Sequence, residues 1–146
     1  MNYDNIEILY AEDSLDDTIL TIRALEKGGF TNKLHHVKDG AEAIDFLYCR
    51  GAYISRNFSE KPKLILLDLK MPKVSGIQVL EKVKSDPALK AIPVVILTSS
   101  QEDPDMVKCY ALGTNSYIVK PVDNIKFLSA IREIGLYWMV LNQPVQ

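Results

Sequence analysis

Five positions carry side chains able to do chemistry together: Glu12, Asp13, Asp68, Thr98 and Lys120. Three are carboxylic acids, one is a hydroxyl and one an ammonium. Carboxylates brought close repel each other and raise each other's pKa values unless a cation sits among them. A hard divalent ion resolves that repulsion. Magnesium takes oxygen ligands, keeps several waters and commonly pairs with phosphate oxygens. No His or Cys cluster accompanies the acids, so the set does not suit zinc. Lys120 adds a positive charge able to meet an acid or a phosphate oxygen.

Singly, each residue has an ordinary explanation. Glu12 and Asp13 would serve as helix caps, Asp68 as a turn residue, Thr98 as a β-branched strand residue and Lys120 as a solvated charge. Their placement in the chain argues otherwise. Short apolar runs at 6–11, 34–37, 64–67, 93–98 and 116–119 predict five strands. Helical periodicity is expected over 14–27, 39–48, 75–84, from 103 to about 113, and after Asp123. In the first helix, Ile19, Ile22 and Leu25 are expected on the inner face, with Ser14 and Asp17 as a capping box. The polar stretch 50–61 reads as an insertion and a site of mobility. Strands apolar on both faces require helices on both sides of a parallel sheet. Right-handed crossovers then give an α/β doubly wound, flavodoxin-like (βα)5 sheet in the order 2-1-3-4-5. Function gathers at the carboxyl ends of such strands, and all five residues fall there.

In this order, Glu12-Asp13, Asp68-Leu69-Lys70-Met71-Pro72 with Gly76, Thr98-Ser99 and Tyr117-Ile118-Val119-Lys120-Pro121 resemble the response-regulator receiver domain of two-component signalling. The resemblance covers residues 6 to about 134. It implies that Asp68 accepts a phosphoryl group from a sensor histidine kinase. It implies that magnesium is held by Asp13, Asp68 and the backbone carbonyl of Lys70, with Glu12 acting mainly through water. Thr98 and Lys120 would bind the phosphate, Tyr117 would rotate as the switch, and a cis peptide bond at Lys120-Pro121 would aim the lysine. The surface of the fourth helix, fifth strand and fifth helix would carry the signal. Lys70 and Ser100 occupy positions that vary in the family, beside the site.

Residues 1–146 are expected to form a single receiver domain, with output through protein contacts. Phe127, Ile131, Ile134, Trp138 and Leu141 repeat at helical spacing, and the helix extension at about 135–146 is apolar on several faces. A homodimer through these residues is expected, although Gly135 interrupts the pattern. The ending and the insertion at 50–61 resemble stand-alone regulators paired with bacterial phytochromes, which implies light signalling.

Other readings are weaker. A flavodoxin-like cofactor binder needs a phosphate-cradling loop after strand one, where Glu12-Asp13 would repel phosphate. A haloacid-dehalogenase-like phosphatase places a second Asp two residues after the first, and Lys70 stands there. A receiver-like scaffold without phosphate would not need the whole acid set. The net charge of −2 argues against broad nucleic-acid binding. There is no membrane-length apolar run and no signal-peptide pattern, so a cytoplasmic protein is expected. Cys49 and Cys109 are expected as reduced thiols.

Overall fold

Leu64 to Leu67 contains no polar side chain, and the strand it forms is buried on both faces. The computed structural model describes residues 6–30, 33–99, 103–120 and 124–133. Its strands are β1 (Ile8–Ala11), β2 (Leu34–Val37), β3 (Leu64–Leu67), β4 (Val94–Thr98) and β5 (Ser116–Val119). The helices are α1 (Leu15–Lys27), α2 (Gly40–Leu47), α3 (Gly76–Ser85), α4 (Asp103–Leu112) and α5 (Asn124–Glu133). All pairings are parallel, in the expected order β2-β1-β3-β4-β5.

Strand alternation divides the core in two. Leu9, Ala11, Ile65, Leu67, Val94 and Ile96 face one side, against Phe46 of α2, Leu80 of α3 and Cys109 of α4. Ile8, Tyr10, Leu64, Leu66, Val95 and Leu97 face the other, against Ala24 and Leu25 of α1 and Phe127 and Ile131 of α5. Both cysteines are free, Cys109 buried and Cys49 half-buried.

The structure corrects the inner face of α1 and the placement of Phe127 and Ile131, and it adds anchors to the insertion. The inner face of α1 is Thr18, Thr21, Ala24 and Leu25, while Ile19 is 41% exposed. The helix turns its threonines inward because the sheet presents a polar group there. Tyr10 Oη lies 3.1 Å from Thr21 Oγ1, and the Thr18 hydroxyl donates to Ser14 O at 2.8 Å. Hydroxyls partnered in this way are tolerated in a core.

The insertion is fastened to the domain. A 3-10 turn at Gly51–Tyr53 buries Tyr53. The Tyr53 hydroxyl donates to Glu42 Oε2 at 2.5 Å. Its single proton is thus spent, so His35 Nε2–H donates to Tyr53 Oη at 2.8 Å. Arg56 lies 3.9 Å over the Phe46 ring and donates to Glu60 O and to Phe46 O. Composition alone suggested a loose loop because these partners lie on β2 and α2.

Phe127 and Ile131 are not surface residues. They are 0% and 1% exposed and belong to the core under α1 and α5, so they offer nothing to a dimer partner. The sheet face needs a cover, and these two side chains supply it. Ile134, Trp138, Leu141, Gly135, Ser100, Pro121 with its peptide bond, and Asp123 lie outside the described residues.

Candidate functional site

Parallel register places the acids. Ala11 pairs with Leu67, and Leu67 with Ile96. Each chain then leaves the sheet at the same rim, and Asp68 N–H donates to Ala11 O at 3.1 Å. The next residues along β1 and β3 are Glu12 and Asp68. One carboxylate oxygen from each of Glu12, Asp13 and Asp68 lies within 4.8 Å of the other two. Glu12 and Asp68 are buried and Asp13 is exposed. Thr98, fully buried, closes β4 at the same rim. Lys120 follows β5 and is tied to the end of β4 by its N–H, which donates to Thr98 O at 2.8 Å.

The Lys120 ammonium reaches back over the rim. It lies 2.6 Å from Glu12 Oε1, 2.8 Å from Asp17 Oδ2 and 3.7 Å from Asp68 Oδ2. Burial would lower its pKa, but the hydrogen bonds to Asp17 and Glu12 outweigh that and raise it. Burial pushes Glu12 up to about 7, with the Asp68 charge adding to it and Lys120 opposing. Below Glu12, Tyr10 Oη is 3.3 Å from Oε1, and burial raises the phenol well above its ordinary range. His36 Nε2–H donates to the Glu12 carbonyl at 2.7 Å.

After Asp68 the chain must turn sharply. Gly76 N–H donates to Leu69 O at 2.8 Å. A Cβ at Gly76 would stand 2.0 Å from Asp68 O and 2.6 Å from Leu69 Cα, both backbone atoms. Only glycine lets α3 begin that close to the Asp68 loop. Ser75 and Gln78 then cap the helix reciprocally.

The family model for the response regulator receiver domain matches residues 8–132. The chain belongs to the response-regulator receiver family. The bacteriophytochrome response regulator RtBRR, a solved structure, is 48% identical with a TM-score of 0.84, covering 95% of this chain and 83% of that one. Response regulator Rcp1 of Synechocystis sp. is 36% identical over 90% of this chain and 88% of its own length. Its Mn2+-bound structure superposes with a TM-score of 0.76, covering 95% of this chain and 97% of that one at 34% identity. The phosphorylated cyanobacterial phytochrome response regulator RcpA has the same TM-score, at 35% identity over 94% of this chain and 96% of its own.

In this receiver the donor set suits a hard divalent cation. Two acids are buried within ligand distance of a third, and one ammonium does not neutralise three carboxylates. Lys70 is exposed and Tyr117 half-buried against the core. Among the described residues no helix is long and apolar enough to cross a membrane.

Sequence reading missed Asp17, Tyr10, Thr21 and His36 as parts of the site. Asp17 was assigned to the helix cap. Ser14 does cap α1, accepting from Asp17 N–H, but the Asp17 carboxylate turns to Lys120 instead. Its one legible signal was a fourth acid a helical turn beyond Asp13.

Proposed function

We propose that this receiver is a phosphorylation switch in which Asp68 accepts a phosphoryl group from a phosphohistidine of a sensor kinase. An Asp68 carboxylate oxygen attacks phosphorus, and the nitrogen–phosphorus bond breaks. Its electron pair goes to the imidazole nitrogen, leaving the histidine neutral after any proton exchange with water. The observation that carries this reading is the meeting of Glu12, Asp13 and Asp68 within 4.8 Å, with an ammonium 3.7 Å from Asp68. Such a rim attracts a phosphoryl group only when its own negative charge is offset.

Magnesium is the cation proposed, held by Asp13, Asp68 and the Lys70 carbonyl, with Glu12 engaged through water. When bound it would spread the charge of the transferring group, as metal ions do in phosphoryl transfer. Lys120 contributes its charge to the phosphoryl oxygens. The Thr98 hydroxyl turns onto one of them, and Tyr117 follows into the space it leaves. The surface of α4, β5 and α5 then changes between two states. The protein acts on no separate substrate and turns over only its own phosphate.

The kinase is proposed to be a bacterial phytochrome and the signal light, supported by the likeness to RtBRR and RcpA. Action in the cytoplasm and a homodimer through the C-terminal extension around Ile134, Trp138 and Leu141 are part of the same proposal. Output passes to a downstream protein.

The test is intact mass after incubation with magnesium and acetyl phosphate. Wild type is expected to gain one alkali-labile phosphoryl group, and Asp68→Asn none. Labelling that persists in Asp68→Asn would place the acceptor elsewhere.

A further inference from the structure

Asp17 is a fourth acid at the rim, and it stands outside the three-carboxylate cluster. It lies in the first turn of α1, where its N–H donates to Ser14 Oγ. The helix start is therefore satisfied without its carboxylate. That carboxylate turns toward β5 and accepts from the Lys120 ammonium at 2.8 Å, across 103 positions of sequence.

An ammonium has three N–H donors. Glu12 takes one at 2.6 Å and Asp17 another at 2.8 Å. Asp68 Oδ2 stands at 3.7 Å, close enough for charge attraction and too far for a hydrogen bond. Remove Asp17, and Glu12 alone holds the ammonium; the N–H so released has Asp68, at 3.7 Å, as the next carboxylate to draw it. A hydrogen bond there would occupy a lone pair that the carboxylate needs to attack phosphorus. With Asp17 in place, the third N–H stays available to a phosphoryl oxygen.

We propose that Asp17 is a positioning residue for phosphorylation, tethering Lys120 to α1 so that it serves the incoming phosphoryl group without capping the Asp68 nucleophile. The inference rests on the reading of Asp68 as acceptor. It also joins β5 to the first turn of α1 through one charged contact.

The ordinary role for such an acid is to complement the positive end of the helix dipole. Asp16 has the same placement in the first turn, and its side chain is exposed. It is the control.

The experiment uses the full chain at saturating magnesium, with initial rates of acetyl phosphate labelling read by intact mass. Asp17→Asn is expected to label about five- to tenfold more slowly, the cost of a misplaced catalytic group. Asp17→Ser, whose hydroxyl suits a helix start, repeats the loss if the Asn variant folds poorly. Asp17→Glu restores the charge and recovers most of the rate, and Asp16→Asn labels as wild type. In parallel, the Lys120 Nζ resonance is expected to move in Asp17→Asn and not in Asp16→Asn. A wild-type or faster rate in Asp17→Asn overturns the proposal, as does an equal loss in Asp16→Asn. If wild type itself takes no label, the acceptor reading fails. The tether then stands or falls on the Lys120 resonance alone.

Discussion

Glu12 and Lys120 are joined by a 2.6 Å hydrogen bond across 108 positions of sequence, and the glutamate is wholly buried. The bond ties the end of β1 to the end of β5, across the intervening β3 and β4. It also sets how the site responds to pH and to loss of a charge.

Glu12 gives the cation-free protein a pH dependence. Its carboxyl titrates at about 7 when folded and at about 4.3 when unfolded. Between those values the folded state keeps a proton that the unfolded state has lost. The stabilising contribution is present below the unfolded value and is lost as pH rises through about 7, on the order of 3–4 kcal/mol. With chelator, the thermal midpoint is expected to fall between about pH 5 and pH 7.5 more steeply in wild type than in Glu12→Gln. Saturating magnesium flattens the wild-type slope. Equal slopes in both proteins would refute this.

Lys120→Met leaves buried acids without their cation. Unpaired buried charge costs about 3–5 kcal/mol, and protonation or a bound metal reduces that cost. Urea unfolding at about pH 8 is expected to show a loss near the lower figure, with part of it regained on adding magnesium. A variant as stable as wild type without metal would mean that the ammonium is dispensable.

Gly76→Ala puts a methyl group against the Asp68 and Leu69 backbone. Backbone cannot move aside as a side chain can, so the Asp68 loop and the start of α3 must separate. Overpacking of this kind costs about 1–3 kcal/mol or more. Weaker magnesium binding by calorimetry is expected to accompany it. Unchanged stability and unchanged metal affinity together would contradict the close approach.

Phe127→Ala opens a cavity between α5 and the sheet, because Phe127 is wholly buried there. A loss of about 3–5 kcal/mol is expected, independent of protein concentration. A loss that grows on dilution would return Phe127 to an interface between subunits.

Tyr53→Phe breaks the path from His35 through Tyr53 to Glu42. It removes one hydrogen bond from each of two half-buried side chains, at about 0.5–1.5 kcal/mol apiece. Hydrogen exchange over residues 51–56 is expected to quicken while the rest of the sheet stays protected. Protection unchanged in that stretch would show that Arg56 and packing hold the insertion without the tyrosine.

Much of the fold was legible because its signals are local. Runs such as Leu64 to Leu67 declare a doubly buried strand by composition alone, and the strand order followed from the rule for parallel crossovers. Polar residues at the strand ends named the rim, since a residue that ends an apolar run must leave the sheet. The face of α1 was misread because Ile19 and Thr18 compete for the core. Hydrophobicity favours the isoleucine, whereas Tyr10 across the interface offers Thr21 a hydrogen bond. The anchors of the insertion were illegible for the same reason: Tyr53 finds its partners on β2 and α2, and Arg56 stacks on Phe46 of α2.

By itself, then, the order of residues determined the family, the strand sequence and the acids that meet at the rim. Each depends on periodicity or on a short motif. Tertiary structure decided which carboxylates Lys120 holds, that Asp17 leaves its cap to join them, and that Phe127 and Ile131 turn inward. Those outcomes depend on distances between groups up to 108 positions apart, and a side chain's partner is chosen by charge and space once the sheet has brought the candidates together.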